Sequence, residues 1–401
     1  MCKYRTLQIN ARQKGFGMGV SISRWYPFDG GQPENLEVVT KRDAWIELRA
    51  LRANPPCPTS ARTDSFRSAL EQSEQLFRAA EGAGYESKPL LLFYGLSQAG
   101  RAITAASQKL SNNEWALSGH GIRATGLGGP VENIAVSDHG SMAPDRNPSL
   151  LRVAQALDSP SIPAKVTMQQ LWYLIPELRG QLQISRLAPY PALFIEDANF
   201  TGKTSTTALV WGLPHDFTHT KGWAGHRGYG AEAEREVIEY LSHYPSLKCH
   251  RFAAIEPPLS SGRESHSISW GDKPRIEKAH DGGVQIAMEL EERLPVEGFG
   301  FNHPSEFPRN VALRKISFTY PSLGMRVAFP AITGNIKPLH PIIAWWAILY
   351  GLSMLARYEP SAWNKAININ ESRHAVILEI LLDEAISACP SLIRQSLCAS
   401  A

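Results

Sequence analysis

Apolar positions recur at helical spacing near both ends of the chain. Phe66, Leu70, Phe77 and Ala80 repeat every third to fourth residue or a multiple of it. Thr63 or Asp64 can cap that run and Gly82 and Gly84 stop it, which predicts a helix over Asp64–Ala83. A second stripe, Leu92, Leu96, Ala99, Ile103, Ala106 and Leu110, belongs to a helix starting near Ser87, with Pro89 tolerated in its first turn. The uncharged run Pro341–Ala356 (PIIAWWAILYGLSMLA) predicts a buried helix, and another is expected over Glu371–Ala388, stopped by Pro390. A short helix, Asp43–Ala53, ends at an Asn-Pro-Pro sequence.

Between these ends the pattern shortens. Ser118–Pro148 is rich in Gly, Pro, Asp and Asn and reads as loop, with a short strand at Ile134–Val136. Helices are expected near Leu150–Leu157, Met168–Leu178 and Ala231–Tyr244. Strands are expected at Ala192–Glu196, Thr207–Leu213, Phe252–Ile255, Val284–Leu290, Val311–Phe318 and Met325–Phe329. The expected fold is α+β and helix-rich. Residues 1–125 and 336–401 would together form a helical domain, with 126–335 as an inserted mixed α/β middle.

The two most apolar helices share a string. Tyr94–Arg101 reads YGLSQAGR and Tyr350–Arg357 reads YGLSMLAR. On a helix the Tyr, Ser and Arg of each string fall on one face, and the Gly permits close approach of another backbone. The echo predicts that the two helices pack together.

These segments also carry a family resemblance. Lys88–Ile103 (KPLLLFYGLSQAGRAI), the His120-Gly121 pair and Gly351–Trp363 (GLSMLARYEPSAW) resemble the signature segments of the YaaC-like family of bacterial proteins. The resemblance is good over about 60–125 and 340–395 and vague between about 140 and 335. It implies a helical frame, and no functional residue is transferred from it.

Composition narrows the setting. A chain of 401 residues with 43% hydrophobic and 20% charged residues can bury a sizeable core. A net charge of +3 permits nucleic acid or a protein as partner without the field of a nucleic-acid coat protein. The five cysteines, at 2, 57, 249, 389 and 398, include no CxxC pair, which favours reduced thiols and a cytoplasmic location. The N-terminal residues have no apolar core of the signal-peptide kind. The Pro341–Ala356 run falls short of the roughly 18–20 residues that span a bilayer, so no membrane is expected.

Five constellations are candidates for chemistry. Arg101 and Arg357, with Tyr94, Tyr350, Ser97 and Ser353, can clamp a phosphate or carboxylate, because guanidinium donates in bidentate fashion. Alternatively each Arg is a helix-end charge paired with a carboxylate such as Glu359 or Glu371. His215 and His219 stand at the i, i+4 spacing of zinc hydrolases, but the surrounding Pro214, Gly222 and Gly225 argue against a helix, and no metal or other cofactor is expected. Thr218–Gly230 interleaves Lys221, Trp223, His226, Arg227 and Tyr229 with four glycines, a combination suited to phosphate contact and base stacking. Gly202–Ser205 resembles the end of a phosphate-binding loop but lacks the Gly five positions earlier, where Asp197 stands. Arg275 and His280 have the R-x4-H spacing of helical HEPN ribonucleases, although Pro274 before and Asp-Gly-Gly after suggest a turn. His120 and His374 are further sources of a general acid or base, with His374 beside the stripe Leu378, Leu381 and Ala385.

Two functions follow as expectations. One is a nucleic-acid- or partner-binding component of a bacterial stress or antiphage system, acting through Thr218–Gly230 and the basic N-terminal helices. The other is a HEPN-like ribonuclease or metal-dependent hydrolase using Arg101, Arg357, His120 or His374.

Overall fold

The computed structural model describes residues 38–138, 147–183, 189–197, 207–214, 236, 238–247, 251–255, 268–269, 276–278, 284–289, 313–314, 316–332, 334 and 336–400. Three helices open it: α1 (Lys41–Ala53), α2 (Ser60–Glu81) and α3 (Lys88–Ala106). Thr40 caps α1 by accepting from the Asp43 backbone N–H at 3.2 Å. α3 is apolar almost all round and correspondingly enclosed. Within it only Leu90, Leu91, Tyr94, Gln98 and Arg101 escape full burial.

The later helices that enter the argument are α4 (Ser149–Ala156), α5 (Met168–Trp172), α6 (Pro341–Tyr358), α7 (Pro360–Ala366) and α8 (Ala375–Ser400). Every residue of α6 from Pro341 to Leu355 is buried. His340 caps it, with Nδ1 accepting from the Ile342 N–H at 3.2 Å. Burial pulls the His340 pKa down to about 4, so the ring stays neutral and keeps that acceptor lone pair.

α8 corrects the expectation of a stop at Pro390, because the helix runs through it to Ser400. Proline removes one backbone donor, but Ala388, Cys389, Leu392 and Ile393 around it are buried in the core, and that packing outweighs the lost bond. Its start also moves, from Glu371 to Ala375.

Among the described residues there are two sheets, and every pairing between their strands is antiparallel. The smaller joins β1 (Ile122–Thr125), β2 (Ala135–Asp138) and β3 (Val166–Thr167). The larger contains β4 (Leu193–Asp197), β5 (Thr207–Leu213), β6 (Arg251–Ile255), β7 (Ile268–Ser269), β8 (Ile276–Lys278), β9 (Val284–Glu289), β10 (Phe318–Tyr320) and β11 (Met325–Ala328). Its order is β10-β11-β4-β5-β9-β6-β7, with β8 also paired to β9. The protein is thus a helix-rich α+β fold.

Several local expectations shift. The run expected as a strand over Val311–Phe318 is helical at 313–314 and 316, and the strand begins at Phe318. The helix expected over Met168–Leu178 breaks after Trp172, and Pro176 starts a separate 3-10 turn to Gln181. Ile276–Lys278, read as part of a turn, is β8.

One main core spans α1, α2, α3, α6 and α8 and also takes in Ile122, Val136, Trp172, Phe194, Tyr320 and Val327. Residues of the 126–335 stretch therefore share the core of the terminal helices. A smaller cluster lies on the other face of the large sheet, where Leu193 and Ile195 meet Val210, Leu241, Tyr244 and Leu313. Phe194 faces the main core while its neighbours face the smaller one, as strand alternation requires. No helix among the described residues is long and apolar enough to cross a membrane.

Candidate functional site

The two helices of the YGLS echo, α3 and α6, lie against each other. The glycine that lets them approach is Gly100, outside the shared YGLS string. A β-carbon there would sit 2.5 Å from the Trp346 ring, and Phe93 meets that ring edge-on at 6.1 Å. Gly95 instead admits Phe77, and Gly351 admits Met168. The two serines stay inside their helices. Ser353 is buried and donates to the Tyr350 carbonyl at 2.7 Å, and Ser97 is also buried.

Tyr94 and Arg357 meet at one edge. Arg357 Nη1 donates to the Tyr94 hydroxyl at 3.3 Å, which joins the first residue of one echo to the last of the other. Arg101 Nη1 donates to the Leu117 carbonyl at 3.1 Å. Neither guanidinium has a carboxylate within ion-pair distance among the described residues, so the alternative of pairing with Glu359 or Glu371 does not hold.

Into this edge comes His120. Its carbonyl accepts from the Leu150 N–H at the start of α4 at 3.2 Å, and Ser149 Oγ donates to the Gly119 carbonyl. Gly121 has φ +68°, and a β-carbon there would lie 2.7 Å from Pro148, so the turn requires glycine. The half-buried imidazole sits among the rings of Phe93 (5.3 Å), Tyr350 (6.0 Å) and Tyr94 (6.3 Å). Burial lowers its pKa below the ordinary histidine value, and the charges of Arg357 and then Arg101 lower it further. The result is a neutral imidazole beside two cations, a set that can hold an anion and accept a proton next to it.

A groove of about 260 Å³ adjoins this edge between α2 and α3, with Arg101 in its wall beside Gln72, Gln98 and Trp115. Sequence reasoning missed it. The signal available was the run Ser65, Ser68, Gln72 on one face of α2, a polar stripe on an otherwise core-packed helix.

His374 lies elsewhere. Its Nε2 is 3.3 Å from Glu132, which Arg373 also engages at 3.1 Å, and its ring is 5.3 Å from Trp172. It ties the start of α8 to the segment before β2 and does not join His120. Lys221, Trp223, His226, Arg227, Tyr229, His215, His219, Gly202–Ser205, Arg275 and His280 lie outside the described residues. Among the described residues no group of three or more His, Cys, Asp or Glu is placed to hold a metal ion.

No curated protein and no solved structure matches the chain. The family model described as YaaC-like protein matches residues 43–397, and on that span the chain belongs to the YaaC-like family.

Proposed function

We propose that this protein binds a phosphate-bearing ligand, nucleic acid in the first instance, at the edge formed by Arg101, His120 and Arg357. The observation that carries the reading is the pair of exposed guanidinium groups, each free of any described carboxylate, whose charges both act on one half-buried imidazole. Each arginine spends one N–H on a neutral oxygen, Arg101 on the Leu117 carbonyl and Arg357 on the Tyr94 hydroxyl, and without an acidic partner keeps its charge and remaining donors for a planar or tetrahedral oxyanion. Exposure of both side chains leaves that edge reachable by a ligand of any length. Fluorescence anisotropy with labelled single-stranded RNA, repeated over a salt series, tests it. Binding that weakens with salt and falls in Arg101→Gln and Arg357→Gln supports the reading, and a salt-insensitive absence of binding rejects it.

The depressed pKa of His120 favours a second reading, ribonuclease activity. A neutral imidazole takes a proton from a ribose hydroxyl while two arginines stabilise charge on the phosphorus oxygens. His120→Ala would then abolish cleavage of labelled RNA while leaving its binding intact. The setting inferred for either activity is the cytoplasm of a bacterium, in a stress or antiphage response. The free thiols of Cys57, Cys389 and Cys398 support the compartment, and phage challenge of a deletion strain tests the response.

A further inference from the structure

We infer that the groove between α2 and α3 holds a nucleobase, so that the ligand is read one nucleotide at a time. Its phosphate would lie on Arg101, His120 and Arg357, and its base between Gln72, Gln98 and Trp115. This inference rests on the phosphate reading above.

The groove and the cationic edge are one continuous surface. Tyr94, Gln98 and Arg101 follow one another at i, i+4 and i+7, so they rise along one stripe of α3. That stripe is where α3 escapes full burial beyond its first turn. Arg101 belongs to both halves, since it lines the groove and its charge acts on His120.

The far wall supplies the chemistry a base needs. Ser65, Ser68 and Gln72 line the groove from α2, and neither their side chains nor that of Gln98 make a hydrogen bond among the described residues. Carboxamides offer a donor and an acceptor side by side, which complements the edge of a base. Trp115 adds an aromatic surface, held in place by the Thr104 hydroxyl donating to its carbonyl at 3.0 Å and by Arg62 at 5.6 Å from its ring centre. Tryptophan is a stacking platform for a base.

Size sets the limit. Small-molecule pockets run from roughly 300 to 1,000 Å³, and about 260 Å³ accommodates one ring system and not a run of stacked bases. A duplex, with its bases stacked and paired, offers no free Watson–Crick edge and no open base face to this groove.

The test is a set of NMR-monitored titrations on the full chain, with inorganic phosphate, a nucleoside, the four ribonucleoside 5′-monophosphates, a short single-stranded RNA and the same RNA as a duplex. The expected result is that at least one mononucleotide binds tenfold or more tightly than phosphate and shifts the Trp115 indole N–H, which phosphate alone leaves in place. Gln72→Leu, at an exposed position, and Gln98→Leu then bring the nucleotide back to the affinity of phosphate without changing phosphate binding. Equal affinity for free nucleotide and single strand identifies a free nucleotide as the ligand, and tighter strand binding identifies a chain end or single strand. If phosphate binds through Arg101 and Arg357 but no nucleotide improves on it, or if the duplex binds as well as the single strand, the groove inference is overturned and the phosphate reading stands. If neither phosphate nor any nucleotide binds, both fall. Should Gln98→Leu fail to fold, the indole shift in the unmodified chain decides alone.

Discussion

At its N-terminal end α3 buries Lys88, whose ammonium donates to Asp383 at 2.7 Å and lies 4.4 Å from the centre of the Tyr85 ring. The Tyr85 hydroxyl donates to the same carboxylate at 2.8 Å. Roughly 20 Å further along the helix, Arg101 emerges with the Leu117 carbonyl as its hydrogen-bond partner and no described carboxylate near it. One helix thus treats its two cations in opposite ways. A cation taken out of water must be neutralised, and Lys88 is, which ties α3 to α8. An exposed cation stays solvated without a partner, so Arg101 remains open to an anion from outside. Arg62 follows the rule for the buried case by another route, donating to the Ser107 and Leu110 carbonyls at 2.8 and 2.6 Å. The difference separates cations that hold the fold from cations the fold presents.

The largest expected effect removes the support common to both ends. Trp346 is fully buried against Gly100 and Phe93, and Trp346→Ala should cost about 3–5 kcal/mol in a urea melt. It should weaken anion binding as well, because α3 and α6 would lose their register.

Glu177 sharpens the contrast from the acidic side, since it is a buried carboxyl without a cation. Ser322 donates to one oxygen at 3.1 Å, and burial pushes its pKa up to about 8 although hydrogen bonds from its own backbone, Ser322 and Tyr320 pull it back. An unfolded chain releases this proton near pH 4.5 and the folded chain only near 8. Stability therefore falls as pH rises through that window, by no more than about 5 kcal/mol. Glu177→Gln should flatten that part of the profile, and a set of denaturant midpoints from pH 4 to 9 would measure it. An unchanged slope would mean the carboxyl is solvated.

Breaking the paired end comes next. Asp383→Ala leaves the Lys88 ammonium buried without its carboxylate and should cost about 1–3 kcal/mol, with Lys88→Met restoring part of the loss in the double variant. If the single variant melts like the parent, Lys88 reaches water and the contrast between the two ends collapses.

The smallest effect on stability belongs to the open end. Arg101→Gln and Arg357→Gln should each shift unfolding by less than about 0.5 kcal/mol, while anion affinity drops about tenfold, or ~1.4 kcal/mol. Each loss of a cation beside His120 should raise the histidine pKa towards its ordinary value, read by NMR titration of the ring protons. A drop in stability with no change in that pKa would return both arginines to a structural role.

The helices were legible in particular residues. The stripe Phe66, Leu70, Phe77 lies buried in α2, and the uncharged run at 341–356 is α6. Pro390 misled because a local breaker was weighed without the core around it. Ile122–Thr125 escaped notice as a strand because it is short, carries Arg123 and sits among glycines. Of the site, Arg101, Arg357, Tyr94 and Tyr350 stood out through the echo, and His120 through the turn after α3. Gln72, Gln98 and Trp115 did not, since a glutamine on a helix and a tryptophan in a loop carry no local pattern.

What the amino-acid sequence determined by itself is what depends on neighbours along the chain. Apolar periodicity placed α2, α3 and α6, the His120-Gly121 pair marked a turn, and composition and low net charge set the broad class. The tertiary structure alone decided which cations are neutralised and which are not. Lys88 meets Asp383, Arg357 meets Tyr94, and His120 meets Tyr350 through contacts between residues far apart in the chain, which brings the imidazole into the field of both arginines. Such contacts are selected by how whole helices pack, with Trp346 seated at Gly100, and packing is a property of shapes brought together that no local spacing records.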